Sequence, residues 1–177
     1  MNKLPQVMRI NGVNVYVHWS VFVISVIILV GAIERPAMSL VGLIAYWSVL
    51  LIHEYGHLIA AQRKKCYVSS IKLYPILGIT CYDVPWSRFD HCVIAWGGVL
   101  AQAIVAAPLI AWVMLFGYTR FNIVNEVIAI LGFFSVGTII FNLLPIPPLD
   151  GATAWGIIPE FVRRTRSRQK NTKQRYF

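Results

Sequence analysis

A chain of 177 residues has the length of a single domain, but 58% of it is hydrophobic and only 13% is charged, against roughly 25% charged residues in ordinary soluble domains. That balance excludes a water-soluble globular domain and indicates an integral membrane protein. The formal charge of +9 does not point to nucleic acid, because the basic residues flank apolar runs instead of covering a folded surface, as topology signals and lipid-headgroup contacts do.

In chain order, the first apolar run covers 15–33. It is too long for a signal-peptide core and has no small-x-small cleavage site before a polar region, so it reads as a retained span. The second, 37–61, AMSLVGLIAYWSVLLIHEYGHLIAA, supplies the 20 or so apolar residues that a bilayer-spanning helix needs. Residues 66–83, CYVSSIKLYPILGITCYD, have strand character on either side of a turn signal at Pro75 to Gly78 and predict a β-hairpin. Further spans are predicted at 92–118 and 123–144. Residues 152–162 are too short to cross and contain Pro159, which predicts a short interfacial helix or partial turn. The tail, 163–177, is basic and polar and reads as a mobile, lipid-facing topology signal. The expected fold is therefore an all-α membrane protein of about four transmembrane helices, with a short hairpin between the second and third. One domain, 1–162, precedes the tail, and there is no internal repeat.

Charge orients these spans. Three segments, N-terminal (Lys3, Arg9), central (Arg63, Lys64, Lys65, Lys72, Arg88) and C-terminal (163–175), hold 14 of the 16 Lys and Arg residues; only Arg35 and Arg120 lie elsewhere. Four spans put all three segments on one face, which the positive-inside rule makes cytoplasmic, with both termini there. Cys66, Cys81 and Cys92 have no CxxC spacing and read as free thiols on a reducing face. Trp19, Trp47, Trp86, Trp96 and Trp155 need no cofactor, and several suit membrane interfaces.

The second span carries His53-Glu54-Tyr55-Gly56-His57, its only ionisable residues being two histidines and a glutamate. Charged groups cost a few kcal/mol each at such depth, so they are functional candidates. Histidines four apart share a helical face and can present two imidazoles to one metal, with Glu54 beside them. A catalytic zinc site usually has three protein ligands plus water. Asp150 is the matching third ligand: it ends NLLPIPPLDG, Asn142 to Gly151, just after the fourth span and on the same side as His57. Pro145, Pro147 and Pro148 cannot continue a helix, and irregular backbone at membrane depth is tolerated where it lines a wet cavity.

With these two elements the chain resembles the site-2 proteases, intramembrane zinc metalloproteases. HEYGH at 53–57 matches their HExxH, and Asn142 to Gly151 matches their NxxPxPxxDG-type element. The stretch from Arg9 to Trp19 is similar to the family's lead into its first span, and Gly97-Gly98 with Gln102 resembles the small-residue stretch of its third core helix. The resemblance covers most of residues 9–151. Gln102 stands where Asn is common, and Ala152-Thr153 where many members have Gly and Arg. Two later spans found in some members, and PDZ or CBS domains found in others, have no counterpart. Substrate access is accordingly expected to be gated differently or through a partner.

The resemblance and the residues together imply one Zn²⁺ held by His53, His57 and Asp150, with Glu54 as general base and then general acid. For Asn142 two roles stay open: a hydrogen-bond donor to the carbonyl oxygen, on the family parallel, or helix packing. Gly97 and Gly98 are read as letting two spans approach, and His18 and His91 as interfacial imidazoles. The hairpin offers an edge to which an unwound substrate segment could pair. The expected partners are a membrane protein with a transmembrane segment, the lipid bilayer, and a regulatory membrane protein or a second copy of the chain. A prokaryotic plasma membrane is the preferred location. A zinc-binding pseudoprotease or scaffold, and a metal transporter, are the competing functions; neither needs an acid–base residue beside the first ligand.

Overall fold

Pro36, whose ring suits the first position of a helix, opens helix α2 (Pro36–Arg63) in a computed structural model that describes residues 4–31 and 34–174, with side chains to 165 in the last helix. Before α2 come β1 (Gln6–Ile10), β2 (Val13–Val17) and α1 (Trp19–Gly31). After it come β3 (Val68–Leu73), β4 (Gly78–Tyr82), α3 (Arg88–Phe116), α4 (Asn122–Asn142), α5 (Gly151–Ala154) and α6 (Ile157–Gln174). Three described helices, α2, α3 and α4, are long and apolar enough to cross a membrane. Their outer faces leave Ile104, Met114, Phe116 and Ile140 largely exposed, side chains that suit lipid better than water.

The N-terminal region departs from the expected spans. Residues 15–17, expected to open the first span, lie in β2, where Val13, Val15 and Val17 are buried and Asn14 and Tyr16 less so. That period of two is a strand pattern. The helix proper starts at Trp19 and has 13 residues, fewer than the roughly 20 a perpendicular crossing needs; residues 32 and 33 lie outside the described set. The fold is thus not helices plus one hairpin. β1, β2, β3 and β4 form a four-stranded sheet in that order, antiparallel except for the parallel β2–β3 pair. In β1–β2 the turn is Asn11-Gly12, both with positive φ, +47° and +82°, as a two-residue hairpin turn demands.

The sheet packs on the second half of α2. Val15, Val17, Ile71 and Leu73 meet Tyr46, Leu50, Leu58 and Ala61 in one core. Burying four such aliphatic side chains is worth about 1.5–3 kcal/mol each, which fixes the sheet beside the HExxH turn. Helix α3 begins at a capped end: Ser87 Oγ accepts from the Asp90 N–H at 3.1 Å and donates to Asp90 Oδ2 at 2.6 Å. Asp90 also pairs with Lys64 at 2.7 Å, tying the start of α3 to the end of α2.

The C-terminal region is helical well beyond the expected short interfacial segment. Residues 151–154 form α5, and α6 carries helix through Gln174, with Pro159 in its first turn, where proline is tolerated. Residues 175–177 lie outside the described set. Arg164 lies over the Phe89 ring at 4.1 Å and donates to Ser87 Oγ at 3.3 Å. Arg9 and Lys72 thus belong to one sheet, and Lys64 and Arg164 both meet the start of α3.

Candidate metal centre

His53 and His57 sit one turn apart on α2, both 6% exposed. Asp150 comes from the irregular segment after α4. Three atoms meet: His53 Nε2 is 3.0 Å and His57 Nε2 3.1 Å from Asp150 Oδ2, and the two nitrogens are 3.1 Å apart. The three residues form the metal-capable cluster among the described residues.

The opposite ring nitrogens explain why these atoms converge. His57 Nδ1 faces the Ile94 carbonyl at 2.8 Å; a carbonyl only accepts, so Nδ1 holds the proton and the neutral ring offers a lone pair at Nε2. His53 Nδ1 donates to Gln102 Oε1 at 3.0 Å. The Gln102 amide is itself oriented, because its Nε2 donates to Thr138 Oγ1 at 3.0 Å and faces the Val49 carbonyl. Two imidazole lone pairs and a carboxylate oxygen therefore point at one spot. Such a set is repulsive without a cation and is what a metal requires.

In the sequence Gln102 is an amide in a small-residue stretch, standing where the resembled family commonly has Asn; its role as support for His53 depends on which face of α3 meets α2. Gln102→Leu, of similar size but without the acceptor, is expected to weaken metal affinity about 10–100-fold, measured by competition with a chromophoric zinc chelator. An unchanged affinity would remove Gln102 from the site.

Glycines make the space. The α2–α3 crossing is tight at Gly56 and Gly97, where a Cβ on Gly97 would fall 2.6 Å from the Gly56 carbonyl oxygen. Gly98 does something different from packing helices: a Cβ there would lie 2.5 Å from His57 Nε2 and 2.8 Å from His53 Nε2. It leaves the imidazoles their room. Gly78 of β4 does the same for the Glu54 carboxyl group, and Gly151 for the Leu143 carbonyl.

Glu54 is 1% exposed. Its Oε2 accepts from Thr80 Oγ1 at 2.6 Å, while Oε1, 4.0 Å from His53 Nε2, has no hydrogen-bond partner among the described residues. A buried carboxylate oxygen left unpaired is costly, so this one is held for a task. Glu54, His57 and Asp150 open onto a cavity of about 210 Å³ whose other walls include Thr80, Tyr82 and His91. Burial pushes the Tyr82 phenol up to about 12, so it remains a hydrogen-bond donor at neutral pH.

Asn142 is buried at the end of α4 and lines a separate small cavity beside His53, Gln102 and Gly78. Asp150 depends on two indoles. Trp155 Nε1 donates to the Leu143 carbonyl at 2.7 Å, and Trp96 Nε1 to the Ala154 carbonyl at 3.0 Å, with the rings edge to face at 5.8 Å. These two tryptophans tie α5 to α3 and to the end of α4.

No protein-family model and no curated protein matches the sequence. Among solved structures, the chain is similar to the site-2 protease from Methanocaldococcus jannaschii, with a TM-score of 0.69 and 22% identity over 88% of this chain and 71% of that one. The chain has a site-2 protease-like fold, with His53, His57 and Asp150 together in it.

Proposed function

We propose that the chain is an intramembrane zinc metalloendopeptidase that hydrolyses peptide bonds within or near transmembrane segments of other proteins. The observation that carries this is the convergence of three lone-pair atoms beside a buried carboxylate oxygen with no partner among the described residues. The donor set fits zinc: atoms sharing a tetrahedral zinc at about 2.0–2.1 Å stand about 3.3 Å apart, within a few tenths of an ångström of the spacing here. His53, His57 and Asp150 would hold it, with Gln102 and the Ile94 carbonyl setting the imidazole tautomers. Zinc in such a site brings the pKa of its water to about 7 and polarises a carbonyl.

Glu54 supplies the proton handling. Its Oε1 takes the proton of the attacking water and later delivers it to the leaving amine nitrogen, while Thr80 keeps the carboxyl group in place. Asn142, at the wall by His53, is a second polar group for the substrate backbone or for helix packing. A helical substrate has to unwind before it can be cut. Strand β4 is an edge of the sheet and runs past Glu54, so it supports addition of the unwound segment as a further strand. The positive-inside rule supports a cytoplasmic position for the site, the sheet and both termini. A lipid bilayer, a regulatory membrane partner or second copy, and a prokaryotic plasma membrane complete the reading.

The test is the purified chain in lipid vesicles with a single-span substrate. Cleavage is expected to stop on chelation and to return with one equivalent of zinc. Cleavage that persists in a chain shown by elemental analysis to be metal-free would refute the reading. Zinc binding without cleavage of any of a panel of single-span substrates would favour a scaffold.

A further inference from the structure

Side chains along a strand alternate between its two faces, and β4 turns one of its faces to Glu54. Gly78 leaves space for the Glu54 carboxyl group there, and Thr80 donates to it. Tyr82 is the next residue on that face. It lines the same cavity as Glu54, His57 and Asp150. The His91 ring meets it edge-on, centroids 6.1 Å apart, which limits how the phenol can swing. Tyr82 is half-buried, and its hydroxyl makes no hydrogen bond among the described residues. A substrate strand laid on the β4 edge would pass Gly78, Thr80 and Tyr82 in turn, beside the cavity that the phenol lines.

We infer that Tyr82 is a catalytic residue whose phenol O–H donates a hydrogen bond to the scissile carbonyl oxygen as negative charge builds on it. The inference rests on the protease reading. In the first step the water oxygen bonds to the carbonyl carbon, the π electron pair moves onto the carbonyl oxygen, and the water's proton goes to Glu54. Tyr82 strengthens its hydrogen bond at that moment. In the second step the carbonyl re-forms, the C–N bond breaks, and Glu54 returns the proton to the amine nitrogen. Tyr82 keeps its own proton throughout. Its contribution is selective for the transition state, because a carbonyl oxygen accepts more strongly when it carries charge. Asn142 opens onto the other cavity, beside His53, so the two polar groups stand at different walls of the site.

Tyr82→Phe keeps the ring against His91 and removes only the hydroxyl. In vesicles with a single-span substrate, kcat is expected to fall about 100-fold, with KM and zinc content within about 2-fold of wild type. Replacement by 3-fluorotyrosine, which retains the donor, is expected to restore kcat to within about 3-fold; loss of a merely structural hydroxyl would lower zinc content or raise KM along with the fall in kcat. A Tyr82→Phe chain with unchanged kcat, or with its whole loss in KM, overturns the inference and leaves the protease reading standing. A wild-type chain that loads zinc and cuts no substrate overturns that reading and this inference together.

Discussion

Glu54→Gln is expected to leave the chain folded and zinc-loaded while peptide hydrolysis falls about 10²–10⁴-fold, the usual worth of a general acid–base group. The substitution preserves shape. The amide oxygen can still accept from Thr80 Oγ1, as Oε2 now does at 2.6 Å, and Gly78 still leaves room for the group. What disappears is the basicity of Oε1, the oxygen near His53 Nε2 that has no hydrogen-bond partner among the described residues. An amide can neither take the water's proton nor return one to the amine. Elemental analysis should therefore find zinc near one per chain while a gel assay on a single-span substrate finds almost no product. Hydrolysis within about 3-fold of wild type would sink the mechanism, and loss of zinc would recast Glu54 as part of the metal site.

Asp150→Ala should fail at the earlier step. It removes the oxygen that closes the triangle with His53 Nε2 and His57 Nε2. The imidazoles keep their Nδ1 partners, so two ligands remain presented and one is gone. Metal affinity is expected to fall by more than the roughly 10–100-fold that loss of a supporting partner costs. Because a ligand bound only by the native state stabilises it in proportion to RT ln(1 + [L]/Kd), zinc that raises the wild-type melting temperature should raise the variant's little or not at all. An equal zinc-dependent shift in the two chains would mean that Asp150 is not a ligand. The contrast between the variants is informative: one loses chemistry and keeps metal, the other loses both.

These residues were legible because their chemistry is local or rare. HExxH declares itself by helical spacing, and Asp150 by being an acidic residue after a proline-broken span. The supports were not legible in the same way. Gln102, Thr80 and Gly98 act across helix–helix and helix–strand contacts, and no spacing within one segment says which of them faces an imidazole. The N-terminal hairpin is another matter. Asn11-Gly12 between alternating residues is a strong short-range hairpin signal, but Val13, Val15 and Val17 run without a polar break into the apolar helix that follows. A composition window merges the two. The burial alternation of β2 was present in the letters VNVYV and was outweighed by their hydrophobicity.

The close approach of Gly56 to Gly97 has a mechanical side. It lies one residue from His57 on α2 and one from Gly98 on α3, so a rocking of the two helices about this contact would have its pivot beside the candidate metal cluster. At 1.5 Å of rise per residue, rocking α3 about this point by roughly 10° would carry Phe116 about 5 Å sideways. The supports at Ile94 and Gln102, on short lever arms, would shift by only about 1 Å. Under the protease reading, spans rocking there would part at their far ends to admit a substrate helix while the facing atoms of His53, His57 and Asp150 kept their spacing.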